Sequence, residues 1–98
     1  MPVQLSPRER SSLKGRAHAL EPVVTVGTAG LSDAVVKEAD RALTAHELIK
    51  VRIGAQDRDE RATLIDQLCE RTDAAKVQTV GKIAVLWRPR PLDEDEDD

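Results

Sequence analysis

The sequence predicts an α/β fold, in which helices pack on a four-stranded mixed sheet in the order α-β-α-β-α-β-β. Three observations carry that reading. Apolar residues recur at helical spacing in three segments and crowd into short β-branched runs in four others. The first and last of those runs, with Val23, Val24 and Val26, then Ile83, Ala84, Val85 and Leu86, are apolar at both parities. A sheet apolar on both faces needs cover on both, and only a helix ahead of the first strand is left to cover the second face. A three-layer α/β/α sandwich follows.

Each element has its own signal. Residues 6–18 read as a helix because Ser6 and Glu9 form a capping box with Pro7 at the first helical position. Leu13, Ala17 and Leu20 make its apolar stripe, and Arg10, Lys14 and His18 line one exposed ridge. Gly15 inside this helix costs about 1 kcal/mol; it marks either close approach by another backbone or a merely tolerated glycine. Pro22 to Val26 is the first strand. Ser32 to about Ala45 is the second helix, with Val35, Val36, Ala39, Ala42, Leu43 and His46 on its buried stripe and Lys37 and Arg41 on the wet side. Leu48 to Ile53 alternates, with Ile49, Val51 and Ile53 on one face and Leu48, Lys50 and Arg52 on the other. Residues 54–59 form a polar loop. Glu60 to Arg71 is the third helix, with Ala62, Ile65, Leu68 and Cys69 buried. Lys76 to Val80 and Ile83 to Trp87 are strands joined by the tight turn Gly81-Lys82. Right-handed crossovers place the second and third helices on one face if the strands are sequential neighbours.

Composition bounds what such a chain does. Its 98 residues suit one domain, over residues 1–90, able to bury roughly 60–68% of its unfolded surface. With no Phe or Tyr and a single Trp, the core is built from Val, Leu, Ile and Ala. The net charge of −3 misleads, because six of the 18 acids form the run DEDEDD at 93–98. The other 92 residues hold 12 acids against 15 Lys plus Arg, a mildly basic body compatible with nucleic acid. Residues 91–98, Pro-containing and then acidic, read as a disordered tail. Cys69 alone allows neither an intramolecular disulfide nor a thiolate cluster. The polar N-terminus lacks a signal-peptide core, and no apolar run approaches the ~18 residues of a membrane span. A cytoplasmic monomer without metal, cofactor or small-molecule substrate is expected.

The stretch PVVTVGTAGL at 22–31 carries the functional signal. A strand feeding Gly27-Thr28-Ala29-Gly30 and then a helix presents backbone N–H groups and a positive helix end to a phosphate. Thr28 and Ala29 are small enough for a sugar-phosphate chain to lie close. The same residues also suit a plain strand-to-helix turn. KH domains use a GxxG loop between two helices; here the loop follows a strand, so the chain is not a simple KH domain. Arg10, Lys14, Lys37, Arg41, Lys50 and Arg52 are candidates for a phosphate-tracking surface around the loop, against the alternative of an ordinary solvated face. His18 and His46 have structural roles, Cys69 is a small core residue, and Trp87 is expected to pack rather than stack on a base. The loop lacks the Gly-Lys-Ser/Thr ending of a P-loop, and no nucleophile sits beside a histidine. An enzyme is not expected.

The chain resembles the YhbY family, the bacterial stand-alone form of the chloroplast RNA splicing and ribosome maturation (CRM) domain. The resemblance rests on LKGRAHAL at 13–20, PVVTVGTAGL at 22–31, AHELIKVRI at 45–53 and QTVGKIAVLWR at 78–88. It implies a fold like the C-terminal domain of translation initiation factor 3. It also implies binding to ribosomal RNA in large-subunit precursors, a role in ribosome assembly, and no catalysis. The family's GxxG loop matches Gly27, Thr28, Ala29 and Gly30. The middle positions lack the basic side chain many CRM domains carry there, and the acidic tail lies outside the family pattern. The rival reading is a protein-binding adaptor on ribosomes or another RNA-protein particle.

Overall fold

The computed structural model describes residues 4–89. The acidic tail at 91–98 therefore lies outside the described residues. Seven elements follow in the expected order: α1 (Pro7–Ala17), β1 (Pro22–Val26), α2 (Asp33–His46), β2 (Leu48–Ile53), α3 (Arg58–Thr72), β3 (Ala75–Val80) and β4 (Ile83–Trp87). The four strands form one mixed sheet in the order β1-β2-β4-β3. β1 and β2 are parallel, whereas β4 runs antiparallel to both β2 and β3.

Local chemistry sets the helix boundaries. The capping box at α1 is formed: the Glu9 N–H donates to Ser6 Oγ at 3.1 Å and the Ser6 N–H to Glu9 Oε1 at 2.9 Å. The hydrogen bonds from Ser6, the backbone one foremost, hold the Glu9 carboxyl below the usual carboxylate range. Ser32 caps α2 by accepting from the Val35 N–H. α3 begins two residues earlier than the sequence suggests, because Asp57 accepts from the Glu60 N–H at 2.9 Å. The segment read as wholly loop thus supplies the helix cap and the first turn.

The core has two parts, one on each face of the sheet. Val24 and Val26 of β1, Ile49, Val51 and Ile53 of β2 and Ala84 and Leu86 of β4 pack against Ala39 and Leu43 of α2 and Ile65, Leu68 and Cys69 of α3. On the other face, Leu13 and Ala17 of α1 cover Leu48, Val77 and Val85. The three-layer arrangement is as expected. The sheet order adds something the expectation left conditional: β4 sits between β2 and β3, so the second crossover is split, yet α2 and α3 still share a face. Two positions differ from the helical stripes. His46 is exposed, because α2 ends there and Glu47 (φ 66°) turns the chain into β2. Ala62 is exposed as well, while Leu64 packs against the core instead.

One side chain ties the end of β4 to both helices. Arg88 donates from Nη1 to Asp40 Oδ1 at 2.6 Å and to the Thr72 carbonyl at 2.7 Å. From Nη2 it donates to the Asp40 carbonyl and to Thr44 Oγ1. Carbonyls at a helix C-terminus lack partners within the helix, and Arg88 satisfies the last one of α3 while locking α2 beside it.

Candidate nucleic-acid interface

The Gly27–Gly30 segment is a tight turn closed by a hydrogen bond from the Gly30 N–H to the Gly27 carbonyl at 3.0 Å. Gly30 has φ 87°, a conformation that favours glycine. Gly27 differs: its φ is not positive, and a Cβ there would meet nothing within 4 Å. The fold alone does not require glycine at 27, so that position leaves the loop open to close approach from outside. Thr28 and Ala29 form the exposed tip. The Gly30 and Val35 N–H groups are satisfied internally, while the Thr28 and Ala29 amides at the exposed tip have no acceptor among the described residues.

The turn is braced from below. The Gly54 N–H donates to the Val26 carbonyl at 2.7 Å, and a Cβ at Gly54 would stand 3.0 Å from that oxygen. The close approach of β1 and β2 at this rim therefore favours glycine at 54, a preference the polar loop gave no sign of. The Ile53 N–H donates to the Lys82 carbonyl at 2.7 Å, so the β3–β4 turn joins the same rim. Three loops meet there, at the carboxyl ends of the parallel strands β1 and β2, where open α/β sheets bind ligands.

The strand register shows which part of the α1 face is open. Opposed residues form rows across the sheet. Leu48, Trp87 and Ala75 make the bottom row, Lys50, Val85 and Gln78 the middle one, and Thr25, Arg52, Ile83 and Val80 the row below the rim. Leu48, Ala75 and Val85 are buried, whereas Thr25, Arg52 and Val80 are exposed, Val80 at 61%. α1 covers the lower rows and leaves the top row bare. Arg52 stands on that bare row beside Thr25, two residues from Gly27, and half-buried Lys50 lies just below. Neither forms an ion pair with another described residue.

The orientation of α1 brings in two more cations. Arg16 lines a cavity with Leu48 and Val23, and a groove with Trp87, so its flank faces the lower end of the sheet. Positions 14 and 16 are about 200° apart around a helix. Lys14, with Arg10 on the same ridge, therefore lies on the flank toward the bare row. The structure thus gathers Gly27–Gly30, Lys50, Arg52, Arg10 and Lys14 around one open sheet face. It does not bring Lys37 and Arg41 there. They lie on the outer side of α2, in a groove with Asp40, Thr44 and Arg71 beyond the opposite face of the sheet.

The remaining candidates resolve as packing. Trp87 is half-buried against the α1 cluster, with Nε1 enclosed and without an acceptor among the described residues. Cys69 is buried in the main core, and desolvation pushes its thiol up to about 11. Gly15 has open space where a Cβ would be, so no neighbouring backbone requires it. Among the described residues no group of three His, Cys, Asp or Glu could hold a metal ion, and no helix is long and apolar enough to cross a membrane.

A Haemophilus influenzae protein named an RNA-binding protein is 46% identical over 85 residues, covering 87% of this chain and 86% of its own length. A Pseudomonas aeruginosa protein named a probable RNA-binding protein is 39% identical over 87 residues, covering 89% of this chain and 84% of its own. The solution structure of a hypothetical Staphylococcus aureus protein, described as a candidate RNA-binding protein, matches with a TM-score of 0.81 at 27% identity. That match covers 94% of this chain and 96% of the other. The family model of the CRS1/YhbY (CRM) domain matches residues 5–88, nearly the whole described body, and with that match the chain belongs to the CRS1/YhbY (CRM) domain family.

Proposed function

We propose that this protein binds ribosomal RNA of large-subunit precursors and assists ribosome assembly, acting in the cytoplasm as a monomer and without catalysis. The observation that carries the RNA part is the joint placement of the exposed Thr28–Ala29 tip and the bare row holding Arg52. A single strand laid across that row meets backbone amides at the loop and unpaired cations along the sheet, the combination that tracks a phosphate backbone. The names of the relatives support RNA as the ligand class. The ribosomal part rests on the resemblance of the sequence motifs.

Crosslinking in cells, followed by sequencing of the attached RNA, tests the proposal. Enrichment of large-subunit precursor RNA is the expected result. Enrichment of other RNAs removes the ribosomal part. No crosslinked RNA, together with ribosome association that is insensitive to salt, favours the protein-binding adaptor instead.

A further inference from the structure

We propose a second phosphate-binding groove between α3 and the β3–β4 turn, into which an RNA strand held at Gly27–Gly30 continues. The inference rests on the reading of the chain as an RNA binder and adds a binding surface that neither the loop nor the bare sheet row contains. A groove of about 340 Å³ is lined by Arg58 and Arg61 of α3, Lys76 and Thr79 of β3 and Gly81 of the turn. Lys82 stands beside it.

The state of these cations decides what the groove can hold. Arg61 is half-buried, and Nη1 donates to two backbone carbonyls, Ala55 at 3.0 Å and Gln56 at 2.6 Å. Both acceptors are neutral. Lys82 Nζ reaches the neutral Gln56 Oε1 at 3.4 Å. Arg58 makes no ion pair with a described residue, and only Lys76 faces a carboxylate, Asp66 at 3.4 Å. Elsewhere in the fold, Arg71 and Arg88 are each matched by an acid, Asp33 and Asp40. Here three positive charges converge without one. Arg61 is oriented by the 55–56 loop, yet a guanidinium has five donors, and most of them remain for a ligand. The acids of the first turn, Asp59 and Glu60, sit about 100° and 200° around the helix from Arg58, off the groove flank. A partly desolvated, oriented and uncompensated guanidinium is a setting for an anion, and phosphate accepts from its planar fork.

Position supplies the link to RNA. The Gly81–Lys82 turn shares its rim with the Gly27–Gly30 loop through the Ile53–Lys82 and Gly54–Val26 hydrogen bonds. β1 and β4 are two strand spacings apart and β3 one further, about 10–14 Å in all. The groove opens on the α2–α3 face, behind the bare row, because Lys76 and Thr79 oppose Leu86 and Ala84 of the main core, so a strand leaving the row rounds the Gly81–Lys82 turn at the exposed β3 edge to enter it.

The test uses the full chain with Arg58→Gln and Lys82→Gln together, both exposed positions, and a fluorescently labelled mixed-sequence single-stranded RNA. With two phosphates no longer neutralised, the salt slope of log K should fall by about 1.4, so the affinity drop between 50 and 200 mM salt shrinks by about 7-fold. Arg58→Lys with Lys82→Arg should keep the slope. A thermal melt checks that the fold is unchanged. An unchanged slope in the folded Gln variant overturns the groove, whatever the affinity does. It leaves the RNA reading standing if Thr28→Asp with Ala29→Asp still weakens binding. Absence of salt-dependent RNA binding in the unaltered chain overturns both.

Discussion

Replacing Arg88 by alanine removes the clamp between β4, α2 and α3, and its effect can be worked from the hydrogen bonds. The Arg88 side chain is only 17% exposed and makes four of them. Asp40 is 58% exposed, so water replaces its partner, and that ion pair contributes at most about 1 kcal/mol. The Thr72 carbonyl is different. Thr72 is 2% exposed, and a buried carbonyl left without its donor costs about 1–3 kcal/mol. Together these amount to about 1–4 kcal/mol, a large part of the ~5–15 kcal/mol that stabilises a domain. For a domain this size it corresponds to a fall in Tm of roughly 4–30 °C. Urea unfolding measures it directly, with the midpoint shifted and the slope m unchanged. Arg88→Lys should recover less than half of the loss, since an ammonium cannot span the planar fork of acceptors. RNA affinity of the folded variant should be unaltered, because Arg88 follows the end of β4 away from the rim. A loss below about 1 kcal/mol would refute the reasoning and assign the clamp no more than a surface role.

Three further outcomes are expected. Gly54→Ala should destabilise, because its Cβ would press on the Val26 carbonyl at 3.0 Å, whereas Gly27→Ala should leave Tm unchanged or slightly raised and weaken RNA binding; melting curves and titrations of both variants check the contrast. Arg10→Glu with Lys14→Glu should weaken binding to all RNA sequences and lower the salt slope by about 0.7 for each phosphate no longer neutralised; a fall in affinity at constant slope would point to α1 folding instead. Cys69, with its thiol pushed up to about 11, favours the folded state in its neutral form, so its contribution is intact below the unfolded thiol range near pH 8.5–9 and is lost as pH rises through about 11; native protein should resist alkylation at pH 8 and react readily in urea.

Much of this fold could be read from residue patterns, for identifiable reasons. Ser6 and Glu9, Ser32, and the parity of Leu48 to Ile53 are local signals, and local hydrogen bonds and sheet pleating honour them. The second-face position of α1 followed from strands apolar at both parities, a matter of residue order alone. The insertion of β4 between β2 and β3 is a tertiary choice with no local mark. The exposure of His46 depends on the turn at Glu47. Around the site, the loop and Arg52 were visible because one motif and one strand carry them. The separation of Lys37 and Arg41 from Lys50 and Arg52 was not, since wet helix positions do not say which side of a sheet the helix occupies. The groove of Arg58, Arg61 and Lys82 was missed for a related reason: its residues come from a helix start and a hairpin turn that only the rim brings together.

The central claim is that RNA meets the chain at the Thr28–Ala29 tip and the open sheet row beside it. The measurement that tests it most directly is the affinity of Thr28→Asp with Ala29→Asp for single-stranded RNA, taken alongside its Tm. Both side chains are exposed and the turn tolerates aspartate, so the fold should hold. Two carboxylates at the tip would stand against the phosphates, and affinity at physiological salt should fall by about tenfold or more, equal to about 1.4 kcal/mol. Unchanged affinity in a double variant that melts like the parent would contradict the account and take the loop out of the interface.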